Sequence, residues 1–338
     1  MKKTYWLFVI GLCLLLSLTG CGQKTEEDVL EELNDKITNM TGYKAKAKMT
    51  LETGEEPQEY DVEIWHQKDN YYRVALTNKN NNQSQIILRN DDGVFVLTPA
   101  LNKSFRFQSD WPNNNSQVYL YESLARDILM DAERKFTAKD DRYIFETMTN
   151  YQNKNLDRQE IALNKKDLAP LSVKIMNQDL KELVQLNFEK FEWNPSFNKE
   201  DFAVERNMTA AHLENIPALS EMEESSSFTP LYPMYEPAGT TFLESKTIQT
   251  EEGEKVVITY TGDYHFTLIE QKAKVVPASA PMNLRTGEPV DLGFTVGVLT
   301  NDALMWTHDG IDYYLASEDL PEEEMISVAR SVYGKLEK

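Results

Sequence analysis

Between residues 43 and 107 apolar and polar positions alternate with a period of two. The stretches KAKAKMTLE (44–52), YDVEIWH (60–66) and YYRVAL (71–76) each put apolar side chains on one face. Asn-, Asp- and Gly-rich connections separate them, which predicts an antiparallel meander. IILRNDDGVFVLTPALNKSFRF (86–107) continues it as strand, turn, strand, turn, strand, with Asn90-Asp91-Asp92-Gly93 as the first turn. Upstream the period is that of a helix. Thr25-Glu26-Glu27-Asp28 has the form of a capping box, Leu30, Leu33, Ile37 and Met40 share one helical face, and Gly42 ends the segment.

WPNNN (111–115) interrupts the meander, and Leu120, Leu124 and Ile128 predict a second helix reaching about Lys135. Strands follow at 142–148, 158–163, 171–176 and 181–189, so residues 25–207 form one domain. Residues 208–240 are rich in Pro, Ser and Glu and are expected to be a linker. A smaller α+β unit occupies 241–338. Its expected strands lie at 255–260, 264–269, 294–299 and 303–308, Asp309-Gly310 turns into IDYYLA, and a last helix opens after Pro321. The expected class is α+β, with most of the mass in antiparallel sheet.

The first twenty residues follow another logic. Lys2 and Lys3 precede an apolar run at 5–18 that is too short to span a bilayer comfortably. The run ends at Leu18-Thr19-Gly20-Cys21, which resembles a bacterial lipobox. That resemblance implies a signal peptide over 1–20, cleavage before Cys21, diacylglyceryl (palmitate-type) acylation of its thiol, and a tether over 21–24. Stable anchoring takes two acyl chains, at about 0.8 kcal/mol per buried methylene, and a diacylglyceryl group supplies both. The expected location is the extracytoplasmic face of the cell membrane. Cys13 would leave with the signal peptide, so the mature body would hold neither a disulfide nor a free thiol.

Composition removes several functions. The formal charge is -20, with 35 Lys and Arg against 55 Asp and Glu, and cleavage would remove two lysines and no acid. Such a chain does not replace counterions around nucleic-acid phosphates. The four histidines, His66, His212, His265 and His308, stand apart from metal-ligand spacings and read as surface or strand-edge residues. Asn90–Gly93 lacks the alternating ligands of a calcium loop. GxSxG, Walker and GxGxxG motifs are absent. The sequence therefore predicts no enzyme, no cofactor and no metal.

The remaining feature is the apolar face of the strands. Val62 and Ile64 share a face, as do Tyr72, Val74 and Leu76, Ile86 and Leu88, Phe95 and Leu97, and Phe105 and Phe107. Such a face must be buried against a helix, a lipid or a partner. Ile64, Tyr72, Val74, Leu76, Leu88, Phe95, Leu97, Phe105 and Phe107 are the candidate lining of a concave face that would hold a lipid or acylated chain. The second expectation is an interaction scaffold, in which the sheet closes on its own core and the protein docks an envelope protein.

YYRVAL (71–76), QSQIILRNDDGVFVLTPALNKSFRFQSDWPNN (83–114) and SQVYLYESLARDIL (116–129) carry a family resemblance. The order of lipobox, amphipathic helix, meander, inserted helix and further strands resembles the LolA-like lipoprotein-sorting group. It is most similar to the YdcC-type sporulation lipoproteins of Gram-positive endospore formers. The resemblance implies a half-open antiparallel β-barrel lidded by helices, a cell-envelope role in sporulation, and a concave face able to cup acyl chains. Two features set the chain apart from the founding carriers, which are soluble: the anchor at Cys21 and the added C-terminal unit.

Overall fold

A computed structural model of the chain describes residues 24–52, 57–107, 109–112, 117–151, 156–215, 228–250, 253–274, 283–285, 287–293 and 295–332. The positions of the expected signal peptide and lipobox, Cys21 included, lie outside them. Helix α1 (Glu26–Asn39) starts at the expected capping box: the Thr25 hydroxyl accepts from the Asp28 N–H, and the Asp28 carboxylate accepts from the Thr25 N–H. Six strands then pair in sequence, β1 (Gly42–Leu51), β2 (Gln58–Gln67), β3 (Tyr71–Asn78), β4 (Ser84–Asn90), β5 (Gly93–Thr98) and β6 (Lys103–Phe107). After α2 (Tyr121–Met130) come β7 (Lys135–Ala138), β8 (Arg142–Met148), β9 (Arg158–Asn164), β10 (Pro170–Met176) and β11 (Glu182–Trp193). The last of these returns beside β1, so the two meanders join into one open sheet with β7 at one edge.

The C-terminal part contains α3 (Val204–Asn215), β12 (Thr240–Thr250), β13 (Gly253–Gly262), β14 (Phe266–Lys272), β15 (Asn283–Arg285), β16 (Glu288–Asp291), β17 (Val296–Leu299), β18 (Ala303–His308), β19 (Ile311–Ala316) and α4 (Glu322–Arg330). Seven of these strands make a second antiparallel sheet. Strand β15 instead leaves it and pairs in parallel with β6, which makes the first sheet twelve-stranded. The fold is thus mostly β, with few helices, and the twelve-stranded sheet does not close on itself.

Three expectations change. The second helix stops at Met130 because Asp131 turns the chain: its carboxylate accepts the backbone N–H groups of Glu133 and Met148, each at 2.8 Å. The next residues then pair as β7 instead of extending the helix. Residues 208–215, expected in the linker, continue α3, where Met208, Ala210 and Ala211 suit a helix. Residues 228–239, also expected in the linker, pack on the second sheet, and Met234 N–H donates to the Ser331 carbonyl.

Pattern dictates burial. Alternate residues of β1 to β5 and β8 to β11 point into one core, which also takes Val29 and Leu33 from α1 and Leu124, Ala125 and Ile128 from α2. The second sheet buries Val256, Ile258, Tyr260, Leu268 and Leu315 against Met325, Val328 and Ala329 of α4. One acid sits among them. Glu270 is fully buried, and its carboxylate accepts the Leu231 N–H, at 3.1 and 3.3 Å. Burial raises its pKa to about 8, opposed only by that hydrogen bond.

The sign of the linkage follows. A carboxyl raised from 4.5 to about 8 on folding keeps a proton that the unfolded chain has lost. Stability is therefore greatest near and below the ordinary carboxylate range and falls as pH rises toward 8. Glu270→Gln keeps the acceptor for Leu231 and removes the titration. Urea unfolding is expected to place the two proteins together near pH 5 and the variant ahead by about 4 kcal/mol near pH 9. Equal pH slopes for the two would contradict it.

Candidate functional site

Pairing of the strands decides which of the nine predicted lining residues share a face. A row runs across six strands through Ala45, Ile64, Val74, Ile87, Val96 and Phe105. A second row runs through Tyr43, His66, Tyr72, Arg89, Val94 and Phe107. Ile64, Tyr72, Val74, Leu76, Phe105 and Phe107 therefore lie on the inner face with α1 and α2. Leu88, Phe95 and Leu97 do not. Leu88 is opposite Arg73 and Phe95, and Leu97 is opposite Ile86, so these three belong to the outer face. The correction is a one-residue offset. The turn between β3 and β4 sets Val74 against Ile87, and period two then sends Leu88 to the other side.

Both faces are covered by the chain itself. On the inner side Ile64, Val74 and Phe107 are fully buried in the common core. On the outer side a 3-10 turn (Lys199–Phe202) and the start of α3 cross β3 to β5, and Phe202 and Val204 pack on Tyr71, Ala75, Ile86, Leu88, Phe95 and Leu97. The crossing is pinned by Arg73, whose Nε donates to Asn207 Oδ1 at 2.6 Å and whose guanidinium lies over Trp65. Trp65 in turn stacks on Phe197.

At the upper end of the inner face lies a buried polar cluster that the sequence did not disclose. His66, expected at a surface or strand edge, is buried, with Nε2 2.7 Å from Glu122 Oε1 and Nδ1 3.2 Å from the Tyr71 carbonyl oxygen. The Tyr43 hydroxyl donates to Glu122 Oε2 at 2.9 Å and accepts from the Tyr121 N–H at 3.1 Å. The Tyr72 ring stacks on the imidazole at 4.3 Å. Burial first, and then the charge of Glu122, push the Tyr43 and Tyr72 phenols well above their usual range. Tyr43 stays a neutral donor with Glu122 as its acceptor, and the Tyr72 phenol stays neutral beside them. Both imidazole nitrogens face fixed protein acceptors, so the geometry suits a clamp between α2 and β1–β3.

At the opposite end a cavity of about 420 Å³ separates β4–β6 from the second sheet, lined in part by Val96, Phe105, Ile269 and Met305. Phe105 is the one predicted lining residue that borders it. Its polar walls are already engaged. Lys103 Nζ lies 2.7 Å from both oxygens of Asp312, and Gln85 pairs with the Val296 backbone, accepting its N–H and donating to its carbonyl. Among the described residues no group of three or more His, Cys, Asp or Glu side chains could hold a metal ion. Asn90–Gly93 forms the β4–β5 turn, with Asp91 between the Tyr71 hydroxyl and Lys199.

The sequence matches a family model described as "Sporulation protein YdcC-like" over residues 1–202. Sporulation protein YdcC of Bacillus subtilis (strain 168) is 51% identical over 338 residues, covering 100% of this chain and 99% of that protein. Among solved structures, the MucA/MucB complex of Pseudomonas aeruginosa aligns with 91% of this chain and 99% of that one, at 13% identity and a TM-score of 0.34. A LolA superfamily protein from Nitrosomonas europaea aligns with 54% of this chain and 99% of that one, at 10% identity and a TM-score of 0.31.

The clamp has a measurable strength. Glu122→Ala leaves His66 and Tyr43 buried without their acceptor and is expected to cost roughly 3 kcal/mol in urea unfolding. Glu122→Gln, which keeps an oxygen for Tyr43, is expected to cost less. A neutral Glu122→Ala would mean that the helix is held by its apolar face alone.

Proposed function

The chain belongs to the YdcC-like family of sporulation proteins, and on that premise we propose that it is a lipid-anchored envelope protein that docks another protein on its outer surface. The observation that carries this reading is the covering of the sheet. The inner face, where a ligand carrier would be open, is buried in one core with the chain's own α1 and α2, with Val96 and Phe105 facing the second sheet across the cavity, and the outer face is covered by the segment from Phe197 to Met208. In this reading the twelve-stranded sheet is a half-open barrel of the LolA-like kind, α1 and α2 are its lid, and the Tyr43–Glu122–His66 cluster keeps the lid shut.

Anchoring comes from Cys21. The lipobox ends five residues before α1 begins, so the acyl chains would hold the folded body close to the extracytoplasmic surface of the membrane. Among the described residues no helix is long and apolar enough to cross a bilayer. The protein acts by binding and not by bond chemistry. Its partner is an envelope protein of the sporulating cell, and the second sheet widens the surface available to it. A membrane-tethered pair of sheets raises the local concentration of whatever either one holds.

The test is photo-crosslinking from exposed positions, and separately from inner-face positions, of the acylated protein in membranes of sporulating cells, with Cys21→Ala as the companion variant. The expected result is one defined envelope protein in the adduct, lost when Cys21→Ala releases the chain from the membrane. Adducts to lipid alone, from inner-face positions, would replace this reading with ligand carriage.

A further inference from the structure

The rim of the first sheet from which the tether emerges has a composition of its own. Strand β8 ends at Met148, which pairs with Arg158 at the start of β9, and β10 ends at Met176 opposite the same residue. Helix α1 begins at this rim, where Glu26 Oε1 accepts from Arg134 Nε at 2.8 Å just ahead of β7. Helix α2 ends there, with Asp131 accepting from the Met148 N–H. From this rim α1 runs about 21 Å to the opposite one, where β1 starts.

Among the described residues of the larger domain, the exposed large apolar side chains are Met130 at 76%, Leu180 at 63% and Met148 at 45%. All three lie on this rim. Met130 and Met148 are neighbours through Asp131. Leu180 stands at the tip of the β10–β11 turn with φ of +61°, a left-handed conformation that Gly or Asn adopts easily and Leu does not. Single exposed apolar residues need no explanation, but three collected at one end do. Beside Met130 and Met148, Arg134 pairs with Glu26 and Lys135 with Glu146, while the exposed Asp179 and Lys181, of opposite charge, flank Leu180. Chain length fixes what lies opposite: Lys24 is three residue steps from Cys21, a reach of at most about 11 Å.

We infer that this rim is a membrane-contact surface, with Met130, Met148 and Leu180 seated in the interfacial layer of the bilayer. The inference rests on acylation of Cys21. Two acyl chains bring the body to the membrane, and the rim then sets which way the body points. An acidic chain gains nothing from anionic headgroups, so contact here depends on apolar side chains and not on charge. The orientation leaves the opposite rim, with the β4–β5 and β9–β10 turns, facing the cell-wall side.

The test uses full-length protein extracted from membranes and placed in vesicles of phosphatidylethanolamine and phosphatidylglycerol. With Cys13 removed and Cys21 acylated, Met130→Cys, Met148→Cys, Leu180→Cys and, on the far rim, Lys166→Cys each offer one thiol for an environment-sensitive fluorophore. Lipids brominated on their acyl chains are expected to lower emission about twofold at the three rim positions, which sit within bromine reach if side chains enter the interface. Emission at Lys166→Cys is expected to stay unchanged. Mass spectrometry of the same samples reads the acyl group. An acylated chain with all four probes unquenched overturns the membrane-contact rim and leaves the anchor standing. A chain without the acyl mass overturns the anchor and the rim with it.

Discussion

A sheet that is apolar on both faces cannot leave either one in water. Strands β3, β4 and β5 are of this kind: Val74, Ile87 and Val96 point one way, Ala75, Ile86 and Leu97 the other. The rest of the larger domain follows from meeting that demand twice. Helices α1 and α2 close the inner side, and the chain leaving β11 passes through Phe197, Phe202 and Val204 to close the outer side. At about 25 cal/mol per Å² of apolar surface, self-coverage on this scale competes directly with any acyl chain seeking the same face.

Two polar arrangements make the coverage specific. Glu122, in the first turn of α2, gathers His66 and Tyr43 from the sheet, so the helix has one seating. Arg73 does the corresponding work outside, reaching Asn207 and Glu63. The second sheet is joined by a similar logic. Gln85 treats the Val296 backbone as a strand partner, Lys103 meets Asp312, and β15 crosses over to extend β6. A cavity persists at this junction, where β4–β6 face the central strands β14, β19 and β18 of the second sheet.

Much of this was legible in the residues. Alternation located β1 to β6 and β8 to β11, and the Thr25–Asp28 box fixed the first helix. What stayed hidden depended on partners distant in sequence. The burial of His66 needs Glu122, and the end of α2 needs the Met148 backbone. The faces of Leu88, Phe95 and Leu97 depend on a turn geometry that sets register by one residue. Strand β12 has a polar, mostly exposed pattern and owes its extension to β13 beside it. The lipobox-like stretch Leu18–Cys21 lies outside the described residues.

The central claim is that the inner face is filled by the protein's own side chains. Native mass spectrometry of the chain from residue 22 onward, produced with an export signal, addresses it directly. The account predicts the bare polypeptide mass, unchanged when the protein is denatured. An added mass in the lipid range that is released on denaturation would contradict it.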